Sequence, residues 1–374
     1  MRAITTVFIY LSLIGFCTYG ILFIYSSTST EGYEKGLHFS KNFLKQLFFY
    51  FVGLVSIYAV SKIPYKKIMG FSFPLYLLNL LALLYVKFFG VVRGGARSWI
   101  DIKITDVQPS ELMKICWILY LASYLRYNKS INTLQGLFIP FLITFIPVMF
   151  IVDQPDYGSA FIFIPTHFMI LYAAGAKKRH LLSIVLCFCL AVVPMYTFIL
   201  TPKQQLRIDG FLNPEEHALT SSYQVINSLL AIGEGHLFGK GIGNGRINQL
   251  SLLPESHTDF IFSIIASELG FVGACGLILC FSVLILSLCL LAVYTREPFG
   301  RIVTISFAAL IGTQVFINLF ITVGMLPTTG ITLPFISSGG SSFVTCCLII
   351  GIVLSVSRHP IAVLGGDDFE ASRA

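Results

Sequence analysis

Several short stretches of this chain hold the side chains that could do chemistry. In Pro254-Glu255-Ser256-His257-Thr258-Asp259-Phe260, three titratable residues alternate. An extended backbone would turn Glu255, His257 and Asp259 to one face. A carboxylate there suits a general base or an oxygen ligand for a divalent cation. The same spacing has a plainer reading. Ser256-x-x-Asp259 fits the loose capping-box pattern, in which the acid only satisfies backbone donors at a helix start.

Gln108-Pro109-Ser110-Glu111-Leu112-Met113-Lys114 reads as a helix opening, with Pro109 at the first position and Glu111 in the first turn. Lys114 shares a face with Glu111 and is followed by apolar residues, so it needs a partner or a polar cavity. The pair is either a structural ion pair or the lining of a cavity open to the outer leaflet. Asp153-Gln154-Pro155-Asp156-Tyr157-Gly158 has the composition of a tight turn, with or without a role for its acids. Between 233 and 245, Gly235, Gly239, Gly241 and Gly243 surround Lys240, as in a loop that cradles phosphate, though a flexible loop needs no more than this. It is not a Walker A sequence, because Gly241 follows Lys240 where Ser or Thr is required. Just before it, Tyr223, Ile226, Leu229 and Leu230 mark one face of a short helix that could lie in the membrane interface. The stretch 327–342, with Ser337-Ser338-Gly339-Gly340-Ser341-Ser342, is tolerated at membrane depth only inside protein or along a cavity. Glu268 is a further acid inside an apolar run, and His167 reads as a lone polar contact.

The elements that must position these residues are membrane helices. Charged residues are 11% of the 374, the apolar set is 56%, and mean hydropathy is +0.82. A soluble domain averages about 25% charged, and disordered chains are poor in apolar residues. Both classes are excluded. A spanning helix takes about 20 residues, so the length implies an all-α, polytopic integral membrane protein of about ten helices. Residues 1–374 form one membrane domain, with 202–256 as its large extracytoplasmic loop. The apolar runs fall at roughly 4–26, 44–62, 71–92, 109–126, 136–152, 157–175, 180–201, 257–293, 302–325 and 341–357. The eighth is long enough to tilt or to project into the outer headgroup zone. The N-terminal run is too long for a signal peptide and reads as a first anchor. All nine Cys lie in apolar runs, without zinc-like spacing, and read as small apolar side chains.

The net charge of +7 does not indicate nucleic acid; what matters is where the bases lie. With the N-terminus inside, the inner loops hold Lys62, Lys66 and Lys67, then Arg126 and Lys129, then Lys177, Lys178 and Arg179, then Arg296 and Arg301, with Arg358 in the tail. The outer connections at 153–156 and 326–340 hold none, although Lys35 and Lys41 fall outside. This balance places both termini in the cytoplasm and the chain in the cytoplasmic (inner) membrane. The polar, Pro- and Gly-rich segments then gather on the outer face, where nucleotide-activated donors are not expected. Group transfer there needs a donor activated before it crosses, such as a lipid-linked pyrophosphate.

Together these stretches resemble the SEDS family of shape, elongation, division and sporulation membrane proteins. The matching residues are Gly95-Ala96-Arg97-Ser98-Trp99-Ile100-Asp101, Gln108-Pro109-Ser110-Glu111, Gln154-Pro155-Asp156-Tyr157-Gly158, Ala231-Ile232-Gly233, Gly239-Lys240-Gly241, 253–262 around Asp259, Glu268-Leu269-Gly270, and 333–342. The resemblance implies a ten-helix peptidoglycan glycosyltransferase that polymerises lipid II on the outer face for elongation and shape. It implies a class B penicillin-binding protein as transpeptidase partner, contact with membrane lipid, and no nucleic acid. The family's essential acid falls on Asp259 and its membrane ion pair on Glu111 and Lys114. Arg97, Asp156, Lys240, Glu255, His257, Ser338 and Ser341 are further candidates for binding substrate or lining the cavity. Lys240, Arg97 or a divalent cation (Mg or Mn, with Asp259 as a ligand) would neutralise the leaving pyrophosphate. Departures from the family pattern are Ser256, Ser338 and the stretch 242–246. The short termini look more like the elongation branch than the division branch. The competing function is a lipid II flippase, which would need a second polar gate on the inner face.

Overall fold

The computed structural model describes residues 2–34, 40–93, 96–101, 106–128, 130–198, 202–220, 222–250, 252–253 and 256–359. The helices in chain order are α1 (Arg2–Glu34), α2 (Lys41–Lys62), α3 (Tyr65–Gly70), α4 (Ser72–Phe89), α5 (Pro109–Leu125), α6 (Leu134–Asp153) and α7 (Tyr157–Ala173). They continue with α8 (Lys178–Phe198), α9 (Pro202–Leu212), α10 (Tyr223–Glu234), α11 (Arg246–Gln249), α12 (Ile261–Val293), α13 (Pro298–Thr322) and α14 (Gly340–Arg358). Each expected apolar run falls on one of them: α1, α2, α4, α5, α6, α7, α8, α12, α13 and α14. Among the described residues, seven of these are long and apolar enough to cross a membrane, and α7 is a shorter apolar helix. The protein is a multi-pass membrane protein.

The local signals behave as their chemistry requires. Ser40 caps α2 by accepting from Phe43 N, Thr133 caps α6 through Gly136 N, and Pro109 opens α5 with Glu111 in its first turn. α14 packs along α2, α1 along α12, α12 along α13, α4 along α5, and α13 along α7. At the α2/α14 seam Gly53 permits close approach: a Cβ there would stand 2.5 Å from the Phe343 ring.

Two stretches depart from the sequence expectation. The run over 71–92 stops being helical at Phe89, and Gly90 leads into a small antiparallel sheet of β1 (Val91–Arg93), β2 (Ala96–Asp101) and β3 (Asp106–Val107). Val91 pairs with Trp99, and Ile100 with Val107. Val and Ile at these positions favour strands. This minor sheet sits at one end of a helical protein.

The second departure is α12. The long run 257–293 is not one continuous helix, because Gly270 breaks it with φ 68° and ψ −166°, a conformation reserved for glycine. The backbone groups freed by the break are met by the loop that follows α10. Phe271 N donates to His236 O (2.9 Å), Val272 N to Leu237 O (3.1 Å), Lys240 N to Ser267 O (3.0 Å) and Gly241 N to Glu268 O (2.9 Å). A break at membrane depth persists only when protein satisfies it in this way. α10 lies against α12 with Asn227, Ser228 and Ala231 buried, while Leu229 and Leu230 stay exposed.

Candidate active site

Four of the segments singled out by their chemistry converge at one end of the bundle around a cavity of about 640 Å³. Its walls come from the sheet (Ser98, Trp99, Asp106), the start of α5 (Gln108, Glu111) and the turn into α7 (Pro155, Asp156, Tyr157). Residues 257–260, 328–332 and 338–342 complete it, together with one face of α2 carrying Lys45, Gln46 and Phe49.

Asp259 lies in a turn that ends at Phe260, the N-cap residue of α12. Phe260, and not Ser256, holds the N-cap position that the capping-box reading of Ser256 and Asp259 required, so that reading is overturned. The helix begins too late for Ser256 to be its cap. The turn is held from three directions through its backbone carbonyls. Asn318 Nδ2 donates to Asp259 O (2.8 Å), Ser337 Oγ donates to Thr258 O, and Ser338 N donates to His257 O (2.8 Å). Asp259 and His257 both line the cavity, although the backbone is a turn and not the extended stretch that alternation suggested. Glu255 lies outside the described residues.

Glu111 and Lys114 form the expected ion pair, with Nζ to Oε1 at 2.7 Å. Lys114 is 1% exposed and stands behind the cavity wall, while Glu111 reaches the wall and its second oxygen, Oε2, is buried without a hydrogen bond. Asp156 does more than make a turn. It caps α7 through Ser159 N (3.2 Å) and accepts from Gln108 Nε2 (2.8 Å) and Ser110 Oγ (3.2 Å), tying α7 to α5 at the cavity. Ser341 joins the sheet to α14, donating to Asp106 O (3.0 Å) and accepting from Gln108 N (3.3 Å).

Two cationic candidates are not brought here. Arg97 is exposed on β2, outside the cavity lining. Lys240 is exposed too, and the backbone N–H groups of Gly239, Lys240 and Gly241 are already bonded to Gly235 O, Ser267 O and Glu268 O. The Gly-rich loop repairs the break in α12 and does not form a phosphate cradle. Lys45 and Gln46 are among the cavity residues that sequence reasoning missed. Lys45 sits one residue inside the apolar run that starts near 44, so the rule that singled out Lys114 could have found it. Glu268 lies away from the cavity, where its Oε1 accepts from Ser26 Oγ (2.5 Å) and Asn248 Nδ2 (3.0 Å). His167 bonds Thr144 Oγ1 at 2.9 Å inside the bundle. Among the described residues, no group of three or more His, Cys, Asp or Glu side chains is arranged to hold a metal ion.

A bundle of membrane helices with an acid-lined cavity at one end defines a class, a polytopic membrane protein. The family model for FtsW, RodA and SpoVE, described as cell cycle protein, matches residues 5–361, and the chain belongs to this family. It is 35% identical to stage V sporulation protein E of Bacillus subtilis (strain 168), over 91% of this chain and 94% of that one. It is 36% identical to the probable peptidoglycan glycosyltransferase FtsW of Coxiella burnetii (84% and 86% covered). It is 32% identical to peptidoglycan glycosyltransferase MrdB of Escherichia coli (strain K12), with 82% and 83% covered. Among solved structures, the fold matches a chain from a peptidoglycan synthase complex that couples polymerization and crosslinking, at TM-score 0.83 and 28% identity, covering 95% of this chain and 98% of that chain. It also matches the crystal structure of Thermus thermophilus rod shape determining protein RodA at TM-score 0.71 and 27% identity, with 95% and 97% covered. Differently named relatives match at similar identity, so the likeness does not single out the elongation branch.

Proposed function

We propose that this protein is a peptidoglycan glycosyltransferase that polymerises lipid II on the outer face of the cytoplasmic membrane, with both termini inside. The observation that carries this reading is the placement of Asp259 in an acid-lined cavity at one end of the bundle. Asp259 would accept the proton of the incoming sugar hydroxyl. That oxygen attacks the anomeric carbon of the donor, and the polyprenyl pyrophosphate leaves with the bonding electron pair. Displacement at an α-linked carbon gives a β-linkage. Glu111 and Lys114 position the start of α5 beside the reacting groups. A divalent cation, with Asp259 as one ligand, would take its remaining oxygens from the substrate's phosphates and from water, as Mg²⁺ does elsewhere. A class B penicillin-binding protein would cross-link the strand, and the likeness to a chain of a peptidoglycan synthase complex supports such a partner. The test is strand synthesis from lipid II by the purified protein with that partner, its transpeptidase blocked. Long strands from the wild type and none from Asp259→Asn are expected. Translocation of lipid II without strands would favour the flippase.

A further inference from the structure

The leaving pyrophosphate needs positive partners, and the two cations expected from the sequence do not reach the cavity. The ionisable groups that do line it are mostly acids: Asp106, Glu111, Asp156 and Asp259. Hydrogen-bond donors are concentrated on another part of the wall, where α14 begins beside α2. α14 starts at Gly340, and its N-cap residue, Gly339, offers no side chain to cap it. The first-turn N–H groups of Gly340, Ser341 and Ser342 have no acceptor within their own helix, and all three residues line the cavity. A helix of 19 residues carries partial positive charge at this end.

A separate observation points to the same place. Gln46 lines the cavity and is 3% exposed. Its Oε1 accepts from Gly339 N at 3.2 Å, which fixes the orientation of the amide. Its Nε2 then carries two N–H donors and has no hydrogen-bond partner. A buried donor left open costs about 1–3 kcal/mol unless something fills it. The adjacent Lys45 is exposed and is the lone Lys or Arg among the described residues lining the cavity. It makes no ion pair among the described residues.

We infer that the N-terminus of α14, Lys45 and Gln46 form an anion site that holds the pyrophosphate of a lipid-linked sugar donor. The inference rests on the glycosyltransferase reading and adds where the leaving group sits. The site is tied to the base, because Ser338 N donates to His257 O and Ser337 Oγ to Thr258 O, directly joining the lead into α14 to the turn bearing Asp259. As the acceptor oxygen bonds to the donor C1, the C1–O bond to pyrophosphate breaks. The electron pair stays on the pyrophosphate at α14, and the hydroxyl proton goes to Asp259. Charge therefore develops where fixed N–H dipoles and one ammonium already stand.

The probe is polyprenyl pyrophosphate, titrated onto the purified full-length protein in lipid nanodiscs, with polyprenol and inorganic pyrophosphate as the other arms. Lys45→Gln and Gln46→Glu should each weaken polyprenyl pyrophosphate binding about tenfold, the scale of one charge-assisted hydrogen bond. Polyprenol binding should not change, and inorganic pyrophosphate should compete with the lipid less well in both variants. Lys45→Arg should bind nearly as the wild type does. In strand synthesis the two weakened variants should raise KM for lipid II. Gln46→Glu keeps the acceptor for Gly339; if it fails to fold, Lys45→Gln at its exposed position decides alone. Equal affinity for polyprenyl pyrophosphate and polyprenol would overturn the site, as would folded variants with unchanged pyrophosphate affinity. A wild type that makes strands alongside such unaffected variants refutes this site alone. Lys45-dependent pyrophosphate binding without strand synthesis keeps the site and refutes the glycosyltransferase.

Discussion

The two ends of the bundle both carry polar and charged side chains, and they use them in opposite ways. At the cavity end, Asp259, Glu111 and Asp156 face a void of about 640 Å³. At the other end, three arginines serve as ties between helices. Arg126 pairs with the buried Glu297 at 3.1 Å, and Arg358 donates to Ser61 Oγ (2.9 Å) and Tyr10 OH (3.0 Å). Arg2 donates to Tyr294 O at 2.6 Å. A flippase needs a polar route that opens to each face in turn, whereas these contacts bind the second end together. The difference supports one-sided chemistry, and it can be attacked from both ends.

The largest effect is expected at Asp259. Asp259→Asn should cut strand synthesis at least about a hundredfold, the low end for losing a general base, while thermal unfolding and partner binding stay as in the wild type. Near-normal rates would remove Asp259 from the chemistry and shift attention to Asp156. Glu111→Ala comes next. It leaves Lys114 charged and buried, so unfolding in detergent should show a loss of about 3–5 kcal/mol. A charge-swapped Glu111→Lys, Lys114→Glu double variant should recover part of it, and strictly additive losses would mean that the two side chains are not coupled.

Arg126→Ala tests the closed end. It uncovers Glu297 but not the cavity, so stability should fall by about 1–3 kcal/mol while activity per folded molecule holds. A drop in turnover as large as that of Glu111→Ala would erase the contrast between the ends. Arg358→Ala, which removes a partly exposed tie, should change stability by less than about 1 kcal/mol. The last probe is meant to perturb nothing. In a Cys-free background, Asn213→Cys should react with a membrane-impermeant thiol reagent on intact cells and Lys178→Cys should not. The reverse labelling would put the cavity on the wrong side of the membrane for a lipid-linked donor.

Composition and periodicity were sufficient for the membrane class and for where the helices lie, because a spanning helix must be apolar along its whole length and leaves that mark in order along the chain. The Glu111–Lys114 pair was equally visible, since three residues on a helix are neighbours whatever the tertiary structure does. Candidates whose role depended on distant partners could not be settled this way. Lys240 and Arg97 have the right charge for a pyrophosphate, yet the first belongs to the loop that repairs the break at Gly270 and the second faces out from β2. Ser256 and Asp259 have the spacing of a cap, but α12 starts after them at Ile261. Gln46 and Gly339 are far apart in the chain and become a donor site only when α2 and α14 pack together. Spacing along the sequence fixes what short-range geometry can reach; which backbone groups remain open, and which cation faces the cavity, is decided only when distant segments compete for the same hydrogen bonds.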